Sequence, residues 1–296
     1  MAKPYPSRNA ATLTGVTAIG MWSLLALLTV ATTPVPPLQL SAMAFLIGAL
    51  PGSIWIVKTG AVRQLAGLSW KVYAFGTAGL FGYHLLYFSA LRYAPPAEAG
   101  LIAYLWPLLI VLFSGLLPGE RLMAGQVLAA AMGFGGAALL ISGGGTGFQA
   151  QAMNGYLLAL ACAFTWSTYS VLSRRLKQVP AAAVTVFCLA TAILSAIAHL
   201  VWEKTIWPDD WVAWLAILAL GLGPVGLAFY LWDIGVKHGN IQLLGVTAYG
   251  APLLSTLILV LAGAAKPHPT LFAAALLITA GAMLAARQSL PAKTRD

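Results

Sequence analysis

Ten stretches of roughly twenty apolar residues, each closed by proline, glycine or charge, limit what this chain can become. A helix rises about 1.5 Å per residue, so about 20 residues cross the ~30 Å hydrocarbon core of a bilayer. By that measure the stretches fall at about 10–32, 38–57, 70–93, 96–117, 122–143, 154–174, 180–202, 210–236, 240–263 and 268–287. The breaks are chemically plain. Pro34, Pro36 and Pro37 end the first stretch, and Lys58 to Lys71 is a charged loop. Pro95-Pro96, Pro118-Gly119-Glu120 and His238-Gly239-Asn240 read as tight turns, Gly143 to Gly147 as a flexible run, and Pro267 to Pro269 as the break before the tenth stretch. Soluble domains carry about a quarter charged residues; here 8% are charged and 60% hydrophobic. The expected fold class is an all-α polytopic membrane protein with ten transmembrane helices.

The net charge of +9 would point to nucleic acid in a soluble chain. In a membrane protein it marks cytoplasmic loops instead, and no nucleic-acid partner is expected. With the N-terminus inside, Lys3, Arg8, Lys58, Arg63, Lys71, Arg121, Arg174, Arg175, Lys177, Lys237, Arg287, Lys293 and Arg295 lie inside, and Arg92, Lys204 and Lys266 outside. Thirteen against three predicts cytoplasmic N- and C-termini. The leading MAKPYPSRNA offers no small-x-small cleavage site, so the first stretch is expected to be retained as a helix. Cys162 and Cys188 sit inside apolar runs without CxxC spacing and read as buried structural thiols.

The chain is also written twice. Laid 145 positions apart without a gap, Tyr104 falls on Tyr249, Pro107 on Pro252, Leu108-Leu109 on Leu253-Leu254 and Tyr87 on Trp232. Trp22-Ser23 answers Trp166-Ser167, and Gly136-Ala137 answers Gly281-Ala282. The expected units are 1–147 and 148–296, with five helices each. Five is odd, so the second unit enters the membrane upside down, the inverted repeat common in secondary transporters.

No P-loop, GxSxG, HExxH or metal-ligand cluster occurs, and the four histidines are scattered. No catalysis, cofactor or metal is therefore expected, and uphill transport would draw on an ion gradient or the substrate's own.

Few ionisable residues lie within the stretches. His84 falls near mid-depth of the third; it is either a functional group or a neutral histidine bonded to a backbone carbonyl. Tyr83, His84 and Tyr87 share one helical face. Glu98 opens the fourth stretch, where the helix dipole favours a carboxylate and Arg92 is close in sequence; a role with a substrate amino group or a proton competes with that account. Asp233 and Lys237 form an i,i+4 pair, and His199 is expected at the interface beside Trp202 and Glu203. Tyr104 and Trp106 precede Pro107, which lacks a backbone N–H and crowds the carbonyl of Ala103; Pro252 repeats the device beside Tyr249. Broken backbone at membrane depth is tolerated where it lines a cavity, and a Tyr/Trp-lined cavity suits a planar, apolar or cationic ligand part.

At these residues the sequence resembles a known family. Ten helices in two inverted repeats, with paired prolines in the fourth and ninth, resemble the EamA branch of the drug/metabolite transporter superfamily. Glu98-x-Gly100-x-x-x-Tyr104-Leu-Trp106-Pro107, with His238-Gly-Asn240 and Tyr249-x-x-Pro252-x-Leu-Ser255, is similar to the subgroup of YddG-type aromatic amino acid exporters. The resemblance implies a basket-shaped monomer with a central cavity open to one side at a time, exporting aromatic and other neutral amino acids across the bacterial inner membrane. Tyr83, Tyr104, Trp106 and Trp166 match the family's cavity positions. The expected substrate-binding set is Tyr83, His84, Tyr87, Glu98, Tyr104, Trp106, Trp166 and Tyr249, with Pro107 and Pro252 as hinges. Selectivity is expected where the halves differ: Trp106 against Ala251, Glu98 against Leu243, His84 against Phe229. A drug or cationic-metabolite exporter of the same superfamily is the second reading, although the first stretch holds no carboxylate for a cation. A non-transporting sensor or assembly subunit is the third.

Overall fold

The computed structural model describes residues 6–142, 149–263 and 269–289. The glycine run 143–147 and Lys3, Lys266, His268, Lys293 and Arg295 lie outside the described residues. Within them the chain forms ten spans and no strands. We label them α1 (Arg8–Val30), α2 (Pro37–Thr59), α3 (Trp70–Tyr93), α4 (Pro96–Ala103 and Trp106–Ser114), α5 (Ala124–Ser142), α6 (Met153–Ser173), α7 (Ala183–Trp202), α8 (Trp211–His238), α9 (Ile241–Leu261) and α10 (Thr270–Ser289). Eight of them are long and apolar enough to cross a membrane. The apolar part of α4, Glu98–Ser114, is shorter, and α3 holds 24 residues, about 36 Å of helix, enriched in Tyr, His and Gly.

Local chemistry sets the boundaries. Pro37 opens α2 at its first position, where a missing N–H costs nothing. Asn240 opens α9: its Oδ1 accepts from Leu243 N–H at 3.1 Å, while its own N–H donates to Thr12 Oγ1 of α1 at 2.8 Å. The proline breaks fall one turn earlier than the rings themselves. In α4 the helix parts at Tyr104–Leu105, and in α9 at Ala248–Tyr249, because Pro107 and Pro252 leave the carbonyls four residues back without their N–H donors.

Three features depart from the expected pattern. The charged loop Lys58–Lys71 contains a short helix, Val62–Ala66. The first span breaks at Ser23–Leu24, where the Ser23 hydroxyl bonds the Gly20 carbonyl at 2.6 Å. The eighth carries a π-helical segment, Gly223–Leu227, around Pro224. The last lets α2 and α8 touch backbone to backbone. A Cβ on Gly48 would stand 2.7 Å from Gly226 Cα and 2.8 Å from the Gly221 carbonyl, so only glycine fits. The Gly48–Gly52 run thus packs within the chain, with Gly52 against Thr185 and Tyr230.

The helix pairings follow the repeat. The pairs α2–α7, α4–α9 and α5–α10 each map onto themselves when the halves are exchanged. The pair α3–α6 maps onto α8–α1, and α3–α7 onto α8–α2. An arrangement unchanged by that exchange is the signature of two-fold pseudosymmetry, and five spans per half make the repeat inverted.

Candidate functional site

Where α1, α3, α4, α6, α8 and α9 converge, a cavity of about 100 Å³ remains. Its wall is Trp22, Leu25, Tyr83, His84, Tyr104, Trp106, Trp166, Pro224, Val225, Phe229 and Ala251. These positions fall near the middle of their spans.

The wall is built from interlocked rings. Trp22 stands 5.8 Å from Trp166 and 6.2 Å from Trp106, ring centre to centre, both edge to face. Trp106 and Trp166 meet nearly perpendicular at 6.4 Å, Phe229 lies 5.7 Å from Trp166, and Tyr83 lies 5.3 Å from Trp166. Pairs of this geometry contribute about 0.5–1.5 kcal/mol each beyond their buried area, so the wall holds its shape without a ligand.

Polar atoms on the wall divide into used and unused. The Trp22 indole N–H donates to the Pro224 carbonyl of the π segment at 3.0 Å. Behind the wall, Trp232 donates to Ser170 Oγ at 3.1 Å. The His84 Nδ1 lies 2.8 Å from the Leu80 carbonyl; a carbonyl only accepts, so Nδ1 carries the proton and the neutral ring keeps Nε2 as an acceptor. Among the described residues the Trp106 and Trp166 indole N–H groups and the Tyr83 and Tyr104 hydroxyls bond no protein group. No lining residue is charged.

Of the eight residues named from sequence, Tyr83, His84, Tyr104, Trp106 and Trp166 stand on this wall. Tyr87 lies behind it, parallel to Tyr83 at 6.2 Å. Glu98 is buried in the first turn of α4, away from the wall. Tyr249 is fully buried, and its hydroxyl accepts the Leu108 N–H at 3.0 Å. That contact runs from the break in α9 into the break in α4, joining the two halves there. Trp22, Leu25, Pro224 and Val225 were not named. The repeat held a signal for Trp22, the counterpart of Trp166, and Phe229 and Ala251 are the counterparts of His84 and Trp106. Three repeat-related pairs therefore face one cavity.

Beyond the cavity, polar clusters close both ends of the bundle. On the face bearing the start of α1, Arg174, just past the end of α6, donates to Glu120 at 2.5 Å, to the Gly239 carbonyl at 2.7 Å and to the Val236 carbonyl at 3.0 Å. Nearby, Lys237 holds Asp233 at 2.7 Å, the i,i+4 pair read from sequence. On the opposite face Glu203 accepts from the Leu38 and Gln39 N–H groups at the start of α2, at 3.1 and 3.2 Å. It also accepts from Arg92 at 3.1 Å. Arg92 therefore serves Glu203 rather than Glu98. His199, in the last turn of α7, is buried and bonds both Glu203 and Thr205, at 3.0 and 2.9 Å.

Fold and cavity define a class: a multi-pass membrane protein whose two inverted halves enclose a small-molecule site, the construction of secondary transporters. The chain belongs to the EamA-like transporter family, whose model matches residues 9–142 and 153–287. It is 53% identical over 281 residues to the aromatic amino acid exporter YddG of Ancylobacter novellus, covering 94% of this chain and 98% of that one. The protein of the same name from Salmonella typhimurium is 27% identical over 294 residues, covering 93% and 96%. A solved crystal structure superposes with a TM-score of 0.91 at 52% identity, covering 96% of this chain and 99% of that one.

Proposed function

We propose that this protein is a secondary transporter that exports aromatic and other neutral amino acids across the bacterial inner membrane by alternating access. The observation that carries the reading is the uncharged, tryptophan-walled cavity at the junction of the halves. An aromatic side chain packs against Trp22, Trp106 and Trp166. The amino and carboxylate groups meet neutral partners: the free indole N–H groups, the Tyr83 and Tyr104 hydroxyls and His84 Nε2, with Tyr87 backing Tyr83. Charged side chains find no counter-ion there and stay out. The names of the relatives support the same substrate class. The breaks set by Pro107 and Pro252 act as hinges, the N- and C-termini lie in the cytoplasm, and one chain suffices.

The cavity volume of about 100 Å³ is below the ~150 Å³ that accepts a benzene in a protein core. An aromatic amino acid therefore enters only as the wall opens, and the polar clusters at the two ends are what must part in turn.

A drug or cationic-metabolite exporter is the competing reading. It has aromatic faces for a cation but no carboxylate on the wall. Proteoliposome exchange separates the two. Labelled Phe, Trp, Thr and Met exchange above empty vesicles, and quaternary amines neither exchange nor compete. The reverse pattern, or no exchange of any amino acid, overturns the proposal.

A further inference from the structure

Away from the cavity, the lipid-facing side of the bundle carries a groove of about 340 Å³ between α3 and α6. Phe75, Ala78 and Gly79 line it from α3, and Phe164, Thr165 and Thr168 from α6, with the buried Tyr169 beneath. Ala78, Phe164 and Thr168 are exposed, so the groove opens sideways, toward the bilayer. It shares no residue with the cavity; the Tyr169 ring meets Trp166 of the wall at 5.3 Å.

The two helices run antiparallel along the groove. A Cβ on Gly79 would meet the Tyr169 ring at 2.4 Å, and one on Gly82 the Thr165 methyl at 3.5 Å. From that level Lys71 lies eight residues back along α3, and Arg175 six residues beyond Tyr169. These steps are about 12 and about 9 Å of helix toward the same end. Each cation stands on the stripe that lines the groove. Lys71, Phe75 and Ala78 follow at i, i+4 and i+7, and so do Thr168, Leu172 and Arg175. The short 3-10 helix Arg174–Leu176 carries the second stripe past the end of α6. Both cations are exposed. The acids described at this end, Glu120 and Asp233, are held by Arg174 and Lys237, so among the described residues Lys71 and Arg175 have no counter-ion. Trp70, 72% exposed beside Lys71, marks the level of the lipid headgroups. The matching positions in the copied pair α8 and α1 are Ala216 and Ala31, so the fold itself does not require the cations.

We propose that the α3–α6 groove binds one anionic phospholipid from the leaflet that meets the start of α1. An acyl chain lies over Ala78, Gly79 and Thr168, between the Phe75 and Phe164 rings, and the phosphate sits between Lys71 and Arg175. Filling the groove selects nothing by itself, because lipid tails are as apolar as the side chains they touch. Selection comes from the headgroup. A basic pocket at the end of a helix pair takes an anionic head, and each cation adds roughly fivefold to its affinity. A zwitterionic head carries its own cation and gains little.

The test uses the full-length protein in detergent and native mass spectrometry, with phosphatidylglycerol and phosphatidylcholine of identical chains as probes. The wild type retains one phosphatidylglycerol, about tenfold or more tighter than phosphatidylcholine. Lys71→Gln combined with Arg175→Gln removes that preference. Lys58→Gln combined with Arg287→Gln, which alters exposed cations of α2 and α10 at the same end, keeps it. Thr168→Trp fills the groove and weakens both lipids. All five side chains are exposed, so the variants fold. Glycerol phosphate, a head without chains, does not compete. Equal retention of the two lipids by the wild type overturns the proposal, as does an undiminished preference in the Lys71 and Arg175 variant. An equal loss in the Lys58 and Arg287 variant assigns the selection to the whole basic face and overturns it. Competition by glycerol phosphate makes the groove's end a plain anion site, and dimers that Thr168→Trp abolishes give the groove to a second copy of the chain; either result overturns it.

Discussion

Replacing Tyr249 by Phe removes a single oxygen from the centre of the molecule. That oxygen is the acceptor for the Leu108 N–H at 3.0 Å, a donor stranded by the break in α4. The ring itself stays: it is fully buried and lies so close to Gly133 that a Cβ there would sit 2.4 Å from Tyr249 Cδ2. Leaving a buried N–H unpaired costs about 1–3 kcal/mol, while side-chain hydrogen bonds between membrane helices average about 0.6. Leu108 can recover part of the loss by bonding the Tyr104 carbonyl four residues back, which straightens α4. The net expectation is about 1 kcal/mol, or about 2 °C in Tm for a chain of this size. The larger effect falls on function. Straightening α4 moves Tyr104 and Trp106 on the wall, so exchange of Phe in proteoliposomes falls several-fold more than stability does. Thermal unfolding in detergent and exchange rates measured together decide the point. Wild-type values in both would refute the hinge role. Unchanged stability with complete loss of ligand binding would make Tyr249 a substrate contact instead.

Trp106→Ala opens the wall and removes the ring's contacts with Trp22, Trp166 and Trp232, a cost of about 3–5 kcal/mol; the apparent affinity for Phe or Trp, read by thermal stabilisation of the protein that folds, drops at least tenfold. Ala251→Trp writes the first half's tryptophan into the second, fills the cavity and abolishes exchange, while ligand-free stability holds or rises. Arg174→Ala strips a largely buried Glu120 of its nearer cation, leaving the exposed Arg8 at 3.9 Å, and frees two carbonyls. Breaking such a pair costs about 3–5 kcal/mol, so this variant unfolds at lower temperature and leaks from that face; Arg174→Lys, lacking the planar fork, recovers only part.

The spans were legible because the bilayer demands about twenty apolar residues per crossing, and because proline and glycine mark where helices stop. Pro107 and Pro252 announced their breaks for the same reason. The repeat gave the pseudosymmetry, since equal spacing over an odd number of helices admits one arrangement. The wall was legible in α3, α4 and α6, where aromatic residues cluster against a proline or match a family motif. Trp22, Pro224 and Val225 carried no such local mark. Their place depends on α1 and α8 pairing across the halves, and on a π segment whose Pro224 carbonyl accepts from Trp22. Tyr249 stands off the wall for a related reason. Its sequence context copies that of Tyr104, but inversion puts one copy on the wall and the other at the break in α9, bonded to Leu108. Glu203 serves α2 and Arg92 as well as its i,i+4 neighbour His199, and no spacing encodes the contacts to the two distant segments.

The measurement that bears most directly on the account is two-sided accessibility of the cavity. Ala251 lines it and is 4% exposed, and the native thiols Cys162 and Cys188 are buried. An Ala251→Cys protein in oriented vesicles is treated with a membrane-impermeant thiol reagent from one side, then from the other. Alternating access predicts labelling from both sides, each blocked by saturating Phe or Trp and unaffected by Lys. Labelling from one side alone, or labelling from either side that the aromatic amino acids fail to block, contradicts it.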